Sequence, residues 1–224
     1  MSQGWKDPLN LIITGVGGQG NILISKLIGE AMLEEGYWVT IGETYGASQR
    51  GGSVASHVRI SKDTQHGPLT PEGQAGIILG LEPVESLRIL GTYGNPKTDV
   101  ITNIRPIHPM AVAIGEAEYP SLDRIKRGIC ELSHEAWYLD ASEIAIGLGA
   151  PLLTNMVMVG ALIGSGLMPL EEEKFERRLK KNFEKERLSL NLKAFGLGVS
   201  TIRKGEPASH RKRSHVTRVG RRSF

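Results

Sequence analysis

A strand that runs into a glycine turn and straight on into a helix restricts a chain to few architectures, and this chain has that arrangement near its start. Leu9–Thr14 (LNLIIT) is an apolar run of the kind that forms a buried strand. It leads directly into Gly15-Val16-Gly17-Gly18-Gln19-Gly20. Ile22, Ile24, Leu27, Ile28, Ala31 and Met32 then recur at helical spacing over Asn21–Glu35, and Gly36 is placed to end that helix. Tyr37–Ile41 (YWVTI) is rich in β-formers and reads as the second strand. Strand, helix, strand makes a βαβ unit, right-handed and feeding a parallel sheet.

The rest of the chain continues the alternation. Gly42–Ser53 (GETYGASQRGGS) reads as a long irregular segment, and Val54–Ile60 as a strand, possible in antiparallel sense. Short strands are expected at Ala75–Leu81, Asp99–Ile104 and Ala136–Asp140. Helices are expected at Glu82–Leu90, at Ser121–Leu132 with Ser121 as its cap, and at Ser142–Leu148. Thr154–Gly164 must be a helix buried on most faces, and Leu170–Leu188 a charged amphipathic one held by Phe175, Leu179 and Phe183. The expected fold is therefore α/β: a single domain with a mostly parallel, Rossmann-like sheet and helices on both faces. It should occupy residues 1–202, with 203–224 as a basic tail.

Charge separates the two parts. From Arg203 onward eight Lys/Arg face Glu206 alone, so this segment carries +7 and residues 1–202 carry −4 of the net +3. The tail lacks hydrophobic periodicity and is expected to be disordered in isolation. Without aromatic interleaving or a nucleic-acid module, a solvated extension or docking on an acidic partner subunit is expected rather than nucleic-acid binding. No signal peptide or membrane-length apolar stretch is visible, so the expected location is the cytoplasm, with no membrane partner. The single cysteine, Cys130, fits a reducing compartment and cannot by itself hold an iron–sulfur cluster, which needs about four thiolates.

Gly15-x-Gly17-x-x-Gly20 matches the dinucleotide fingerprint in the setting that the fingerprint requires. Its physical purpose is a tight turn, a backbone that can approach an anion, and a helix N-terminus that offers free N–H groups. Gly18 and Gln19 belong to the same turn. The competing reading is a turn that only packs helix against strand. Glu43 lies where a ribose-binding acid is expected, at the end of the second strand, although it opens a long glycine-rich segment; a loop-capping carboxylate is the alternative. Ser48-Gln49-Arg50-Gly51-Gly52 offers a hydroxyl, an amide and a guanidinium fork beside glycines, a set suited to phosphate, carboxylate or a closely packed partner backbone. An arginine that braces its own loop is the alternative. The six histidines show no metal spacing and read as scattered surface or loop residues, so no metal site and no catalytic residue is assigned. Cys130 reads as a small core residue, and Thr154-Asn155 as a helix start.

Taken together, ITGVGGQG with its helix, GETYGASQRGGSVASHVRIS, GLEPVESLRIL, Thr154-Asn155 and NLKAFGLG (Asn191–Gly198) resemble the gamma-type domain of the 2-oxoacid:ferredoxin oxidoreductases, in particular those that act on indolepyruvate. The likeness spans roughly Leu9 to Val199. It implies an α/β subunit with no cofactor of its own, inactive alone. A large partner subunit would carry thiamine diphosphate and the [4Fe-4S] clusters, and the complex would decarboxylate a 2-oxoacid to an acyl-CoA while reducing ferredoxin. Coenzyme A is the implied cosubstrate, with Gly15, Gly17, Gly18, Gln19, Gly20, Glu43, Ser48, Gln49, Arg50 and Gly51 as the candidate residues for holding it. The basic tail is not part of the family pattern. Two other readings stay open from the residues: a free-standing NAD(P)-dependent oxidoreductase, and a purely structural subunit with an unused glycine turn.

Overall fold

The computed structural model describes residues 5–46, 52–109, 112 and 114–209. Among these, six strands form one sheet: β1 (Leu9–Val16), β2 (Trp38–Tyr45), β3 (Ser53–Ser61), β4 (Ile77–Gly80), β5 (Asp99–Asn103) and β6 (Glu135–Leu139). Their order is β2-β3-β1-β4-β5-β6. Strands β1, β4, β5 and β6 pair in parallel, and β3 runs antiparallel between β1 and β2. The helices are α1 (Asn21–Glu34), α2 (Pro83–Tyr93), α3 (Leu122–Leu132), α4 (Ala141–Gly147), α5 (Thr154–Gly164), α6 (Glu172–Asn182) and α7 (Lys185–Lys204).

All eight residues of β1 are buried, as an apolar strand in the middle of a two-faced sheet must be. Leu11 and Ile13 pack with α1, α5, α6 and α7 in one cluster, while Ile12 faces the other way, with Ile78, Val100 and residues of α2 and α3 in a second. Helices therefore cover both faces, the larger group on the α1 side. There α5 and α7 cross at very close range: a Cβ on Gly160 would sit 2.0 Å from the Phe195 carbonyl oxygen, and one on Gly198 would sit 1.9 Å from that of Val157. Helix α6 is held to α1 by ions as well as by Phe175 and Leu179. The Arg178 guanidinium reaches Glu30 and, at 2.8 Å, Glu34, and Lys181 reaches Glu34 at 3.0 Å. These two cations hold the Glu34 carboxyl below its ordinary value.

Three sequence expectations need correction. Strand β2 is not the parallel neighbour of β1. It continues through Tyr45, turns back as β3, and β3 takes the place beside β1. The backbone groups on both edges of Ser53–Ser61 are used, one edge by β1 and the other by β2. Consequently Gly42–Tyr45 and Ser53 are strand rather than loop. Helix Leu170–Leu188 is two helices, interrupted at the extended residues Phe183 and Glu184, and the second runs on to Lys204. Arg203 and Lys204, placed in the tail by charge, are the last turn of α7, and Ala208 beyond them bridges to Ala136 on the edge strand β6. Residues 210–224 lie outside the described residues. No helix among the described residues is long and apolar enough to cross a membrane.

Candidate functional site

The site begins where β1 ends. Gly20 closes the turn with φ 85° and begins α1, and Gly18 has φ 98°, both in the left-handed region that glycine tolerates. Gln19 folds back into the turn. Its Oε1 accepts from the Val16 N–H at 2.8 Å, and its Nε2 donates to the Leu81 carbonyl at 2.9 Å. A Cβ on Gly15 would fall 2.4 Å from that Oε1, so Gly15 is glycine to admit the protein's own glutamine. The Gly17 N–H donates to the Gly52 carbonyl at 2.9 Å, which joins the turn to the start of β3. On the far side of the turn, a Cβ on Gly20 would lie 2.3 Å from Asn155 Nδ2, so the first turn of α5 is pressed against the first turn of α1.

Two helix N-termini thus meet at the turn, and they differ from the others in electrostatics. Helices α2, α3 and α4 are capped by the side chains of Glu82, Ser121 and Asp140, and α6 and α7 carry acids in their first turns. Helices α1 and α5 have neither a side-chain cap nor an acid in the first turn. Among the described residues no side-chain cap or first-turn acid offsets these positive ends. The 3-10 turn Pro151–Leu153 takes up the Thr154 N–H, so the open N–H groups are chiefly those of α1, which favours an anion at this point. Clefts flank the turn on each side and share Gly18. One, of about 380 Å³, is lined by Gly17, Gly20, Ile22, Tyr45, Gly52 and Ser53, among others. The other, of about 320 Å³, is lined by Arg105, Ile107, Ser142, Ile146, Leu152 and Asn155, among others. Both open at the carboxyl ends of the parallel strands, beside β1, where successive connections leave in opposite directions. This is where open α/β sheets bind ligands.

The match to a family model settles the chain's kinship. Residues 10–201 fit the model for pyruvate ferredoxin/flavodoxin oxidoreductase. The chain belongs to that family. Within it, the chain is similar to the indolepyruvate oxidoreductase subunit IorB of Pyrococcus horikoshii, with 42% identity over 87% of this chain and 96% of the relative. It is 40% identical to the subunit of the same name from Archaeoglobus fulgidus, over 90% of this chain and 98% of the relative. Among solved structures it resembles the gamma subunit of a keto/oxoacid ferredoxin oxidoreductase from Geobacter sulfurreducens, with a TM-score of 0.63 and 20% identity, covering 88% of this chain and 99% of that one. It also resembles 2-oxoglutarate:ferredoxin oxidoreductase from Magnetococcus marinus, solved with 2-oxoglutarate, coenzyme A and succinyl-CoA bound. There the TM-score is 0.71 at 22% identity, and 92% of this chain corresponds to 33% of that one. These two structures share the fold.

For a member of this oxidoreductase family, the structure sorts the candidate residues as follows. Gly15, Gly17, Gly18, Gln19 and Gly20 come together at the turn, with Gln19 committed to internal hydrogen bonds. Glu43 is away from it, on β2. Its carboxylate accepts from Ser25 Oγ at 3.3 Å and from Ser56 Oγ at 2.5 Å, so it links α1 to the sheet and is not free for a ribose. Ser48, Gln49, Arg50 and Gly51 lie outside the described residues; Tyr45 and Gly52 line the first cleft. The sequence reading did not single out Arg105, and it took Asn155 chiefly as a helix start; both line the second cleft, brought there by the segment after β5 and by α5. Cys130 is buried in α3, as expected of a core residue.

The histidines were not all surface or loop residues. His57 is fully buried on β3 against Tyr93, ring centroids 5.0 Å apart. Its Nδ1 accepts from the Thr70 N–H at 3.4 Å, which assigns the proton to Nε2, and Nε2 has no partner among the described residues. Burial, aided by Arg59, lowers its pKa below the ordinary histidine value. Below that ordinary value the unfolded chain takes up a proton that the folded one refuses, so stability should decline as pH falls beneath about 6.5. Urea unfolding of wild type and His57→Gln between pH 7.5 and 5 should show this loss in the wild type and a smaller one in the variant. His134, read as isolated, lies 3.0 Å from Asp99, and with Glu135 these residues bring three ligand-type atoms within 4.8 Å of one another. They sit at the amino ends of β5 and β6, opposite the glycine turn.

Proposed function

We propose that this chain is the cluster-free subunit of an enzyme that oxidatively decarboxylates an arylpyruvate, indolepyruvate foremost, to an acyl-CoA while reducing ferredoxin, and that its glycine turn holds an anionic group of coenzyme A. The observation that carries the reading is the meeting of two uncapped helix N-termini at the turn, between clefts, in a chain whose relatives are indolepyruvate oxidoreductase subunits. That a structural neighbour was solved with coenzyme A adds support. The chain does not fit an iron–sulfur cluster of its own, because its one thiol is buried in α3. We place the clusters and thiamine diphosphate on a larger partner subunit in the cytoplasm, and the electrons leave through that partner to ferredoxin. Thiamine diphosphate would supply the electron sink for decarboxylation. What this chain contributes is binding: backbone N–H groups at the turn for a phosphate, and the Arg50 fork to the same anion.

A dinucleotide-dependent enzyme standing alone has less support. The strand beside β1 is antiparallel and brings Ser53, not an acid, to the cleft, while Glu43 is engaged by Ser25 and Ser56. Charged hydrogen bonds are typically worth about 1.5–3 kcal/mol, so Arg50→Ala should raise the KM for coenzyme A roughly ten- to a hundredfold in the copurified complex. The KM for the 2-oxoacid should hardly change. A rise in the 2-oxoacid KM instead would turn the arginine toward the other substrate. If neither constant moves in an intact complex, the turn is purely structural.

A further inference from the structure

We infer that two buried carboxylates on the first turn of α2, Glu82 and Glu85, are positioning residues, each fixing one wall of the clefts that flank the glycine turn. Glu82 is 1% exposed and Glu85 is 5% exposed. Glu82 caps α2 through Oε2, which accepts from the Glu85 N–H at 2.8 Å. A serine or aspartate at the protein surface would do that much. The rest of what Glu82 does is tertiary: Oε1 accepts from Tyr119 Oη and, at 3.4 Å, from the Ile107 N–H, which holds the segment carrying Arg105 and Ile107 against α2. That segment is one side of the second cleft. Burial, together with the hydrogen bond to Glu82, pushes the Tyr119 hydroxyl far above its ordinary range.

Glu85 stands at the position where a capping-box glutamate would reach back to its own helix N-terminus. It does something else. Its Oε2 accepts from Ser53 Oγ at 2.6 Å, and its Oε1 takes the Arg88 guanidinium. Ser53 is the first residue of β3 and lines the first cleft, and the preceding carbonyl, of Gly52, is the one that accepts from the Gly17 N–H. Glu85 therefore reaches the glycine turn through two consecutive residues. Burying two carboxylates one helical turn apart is unfavourable unless their hydrogen bonds are satisfied, and helix capping alone does not require it. The arrangement is accounted for if the walls must be held in register for a ligand lying across Gly18.

This inference rests on the proposed coenzyme A site, and the test separates the two. Glu85→Leu removes the acceptor for Ser53. Glu85→Gln keeps a partner, because a serine hydroxyl can accept from the amide as readily as it donates to a carboxylate. Hydrogen exchange on the full chain should be faster at the Gly17 and Gly46 amides in Glu85→Leu and restored in Glu85→Gln. In the copurified complex, Glu85→Leu should raise the KM for coenzyme A about tenfold, in line with losing one charged hydrogen bond, with kcat and the 2-oxoacid KM held. Should Glu85→Leu fail to fold, Ser53→Ala breaks the same bond with the helix intact, and the exchange at Gly17 and Gly46 is read there. Unchanged exchange at those amides overturns the brace. So does an unmoved coenzyme A constant in Glu85→Leu while Arg50→Ala raises it, an outcome that leaves the proposed function standing. If Arg50→Ala is also without effect, the coenzyme A site proposed at the turn falls, and with it the positioning role.

Discussion

Gly20→Val is expected to be the most damaging single change at the site. Gly20 has φ 85°, a conformation that costs an L-residue about 1–2 kcal/mol and a β-branched one more. The new Cβ would also lie 2.3 Å from Asn155 Nδ2, so the Asn155 side chain would have to leave its place against the turn. Both consequences act on the point where the two helix ends converge. Losing two charged hydrogen bonds there, at about 1.5–3 kcal/mol each, corresponds to a rise of roughly a hundredfold or more in the coenzyme A KM. The measurement is steady-state kinetics of the copurified complex. A fold and a constant both unchanged would mean that the turn tolerates a side chain and does not depend on its close contact with α5.

The largest effect on stability is expected at the crossing of α5 and α7. Gly198→Val would drive a side chain to 1.9 Å from the Val157 carbonyl oxygen, backbone against backbone, with no flexible group to yield. Overpacking of a close-packed core typically costs about 1–3 kcal/mol, and this contact belongs at the upper end or beyond. For a chain of this size that is a fall in Tm of about 10 °C. Because α5 also supplies Asn155 to the glycine turn, the variant should weaken coenzyme A binding as a secondary effect. Thermal unfolding with and without ligand separates the two. An unaltered Tm would show that the helices part more easily than the geometry indicates.

Much of this was legible in the sequence, and the reasons are specific. Leu9–Thr14 is buried on both sides, so its apolar run was unambiguous, and Gly18 and Gly20 after it take the left-handed conformation that glycine adopts most readily. Thr154–Gly164 was readable because a helix buried all round has no polar face to blur its ends. The order of β2 and β3 was not legible. Pairing is decided by tertiary contacts between segments forty residues apart, as in Ile13 with Ser56, and the alternation in β3 does not say on which side each neighbour lies. Glu43 was misplaced for the same reason: the strand continues past Ile41 because β3 pairs with it through Tyr45. Phe183 looked like one more apolar position of a helix, yet it is extended and turns the chain into α7. The convergence of α1 and α5 on the turn had no local signal at all, nor did the use of Glu82 and Glu85 to hold the cleft walls. A capping pattern in EPVES announces a helix start, and nothing in it tells that the second acid is directed to Ser53.

The central claim is that this chain works as the coenzyme A-holding, cluster-free subunit of a 2-oxoacid:ferredoxin oxidoreductase. The most direct measurement is ferredoxin reduction driven by indolepyruvate and coenzyme A, with this chain alone, the copurifying subunit alone, and the two together. The chain alone should be colourless and inactive, and turnover should appear only when both are present and should saturate in coenzyme A. Turnover by this chain unaided, or full coenzyme A-dependent activity of the partner without it, would contradict the account.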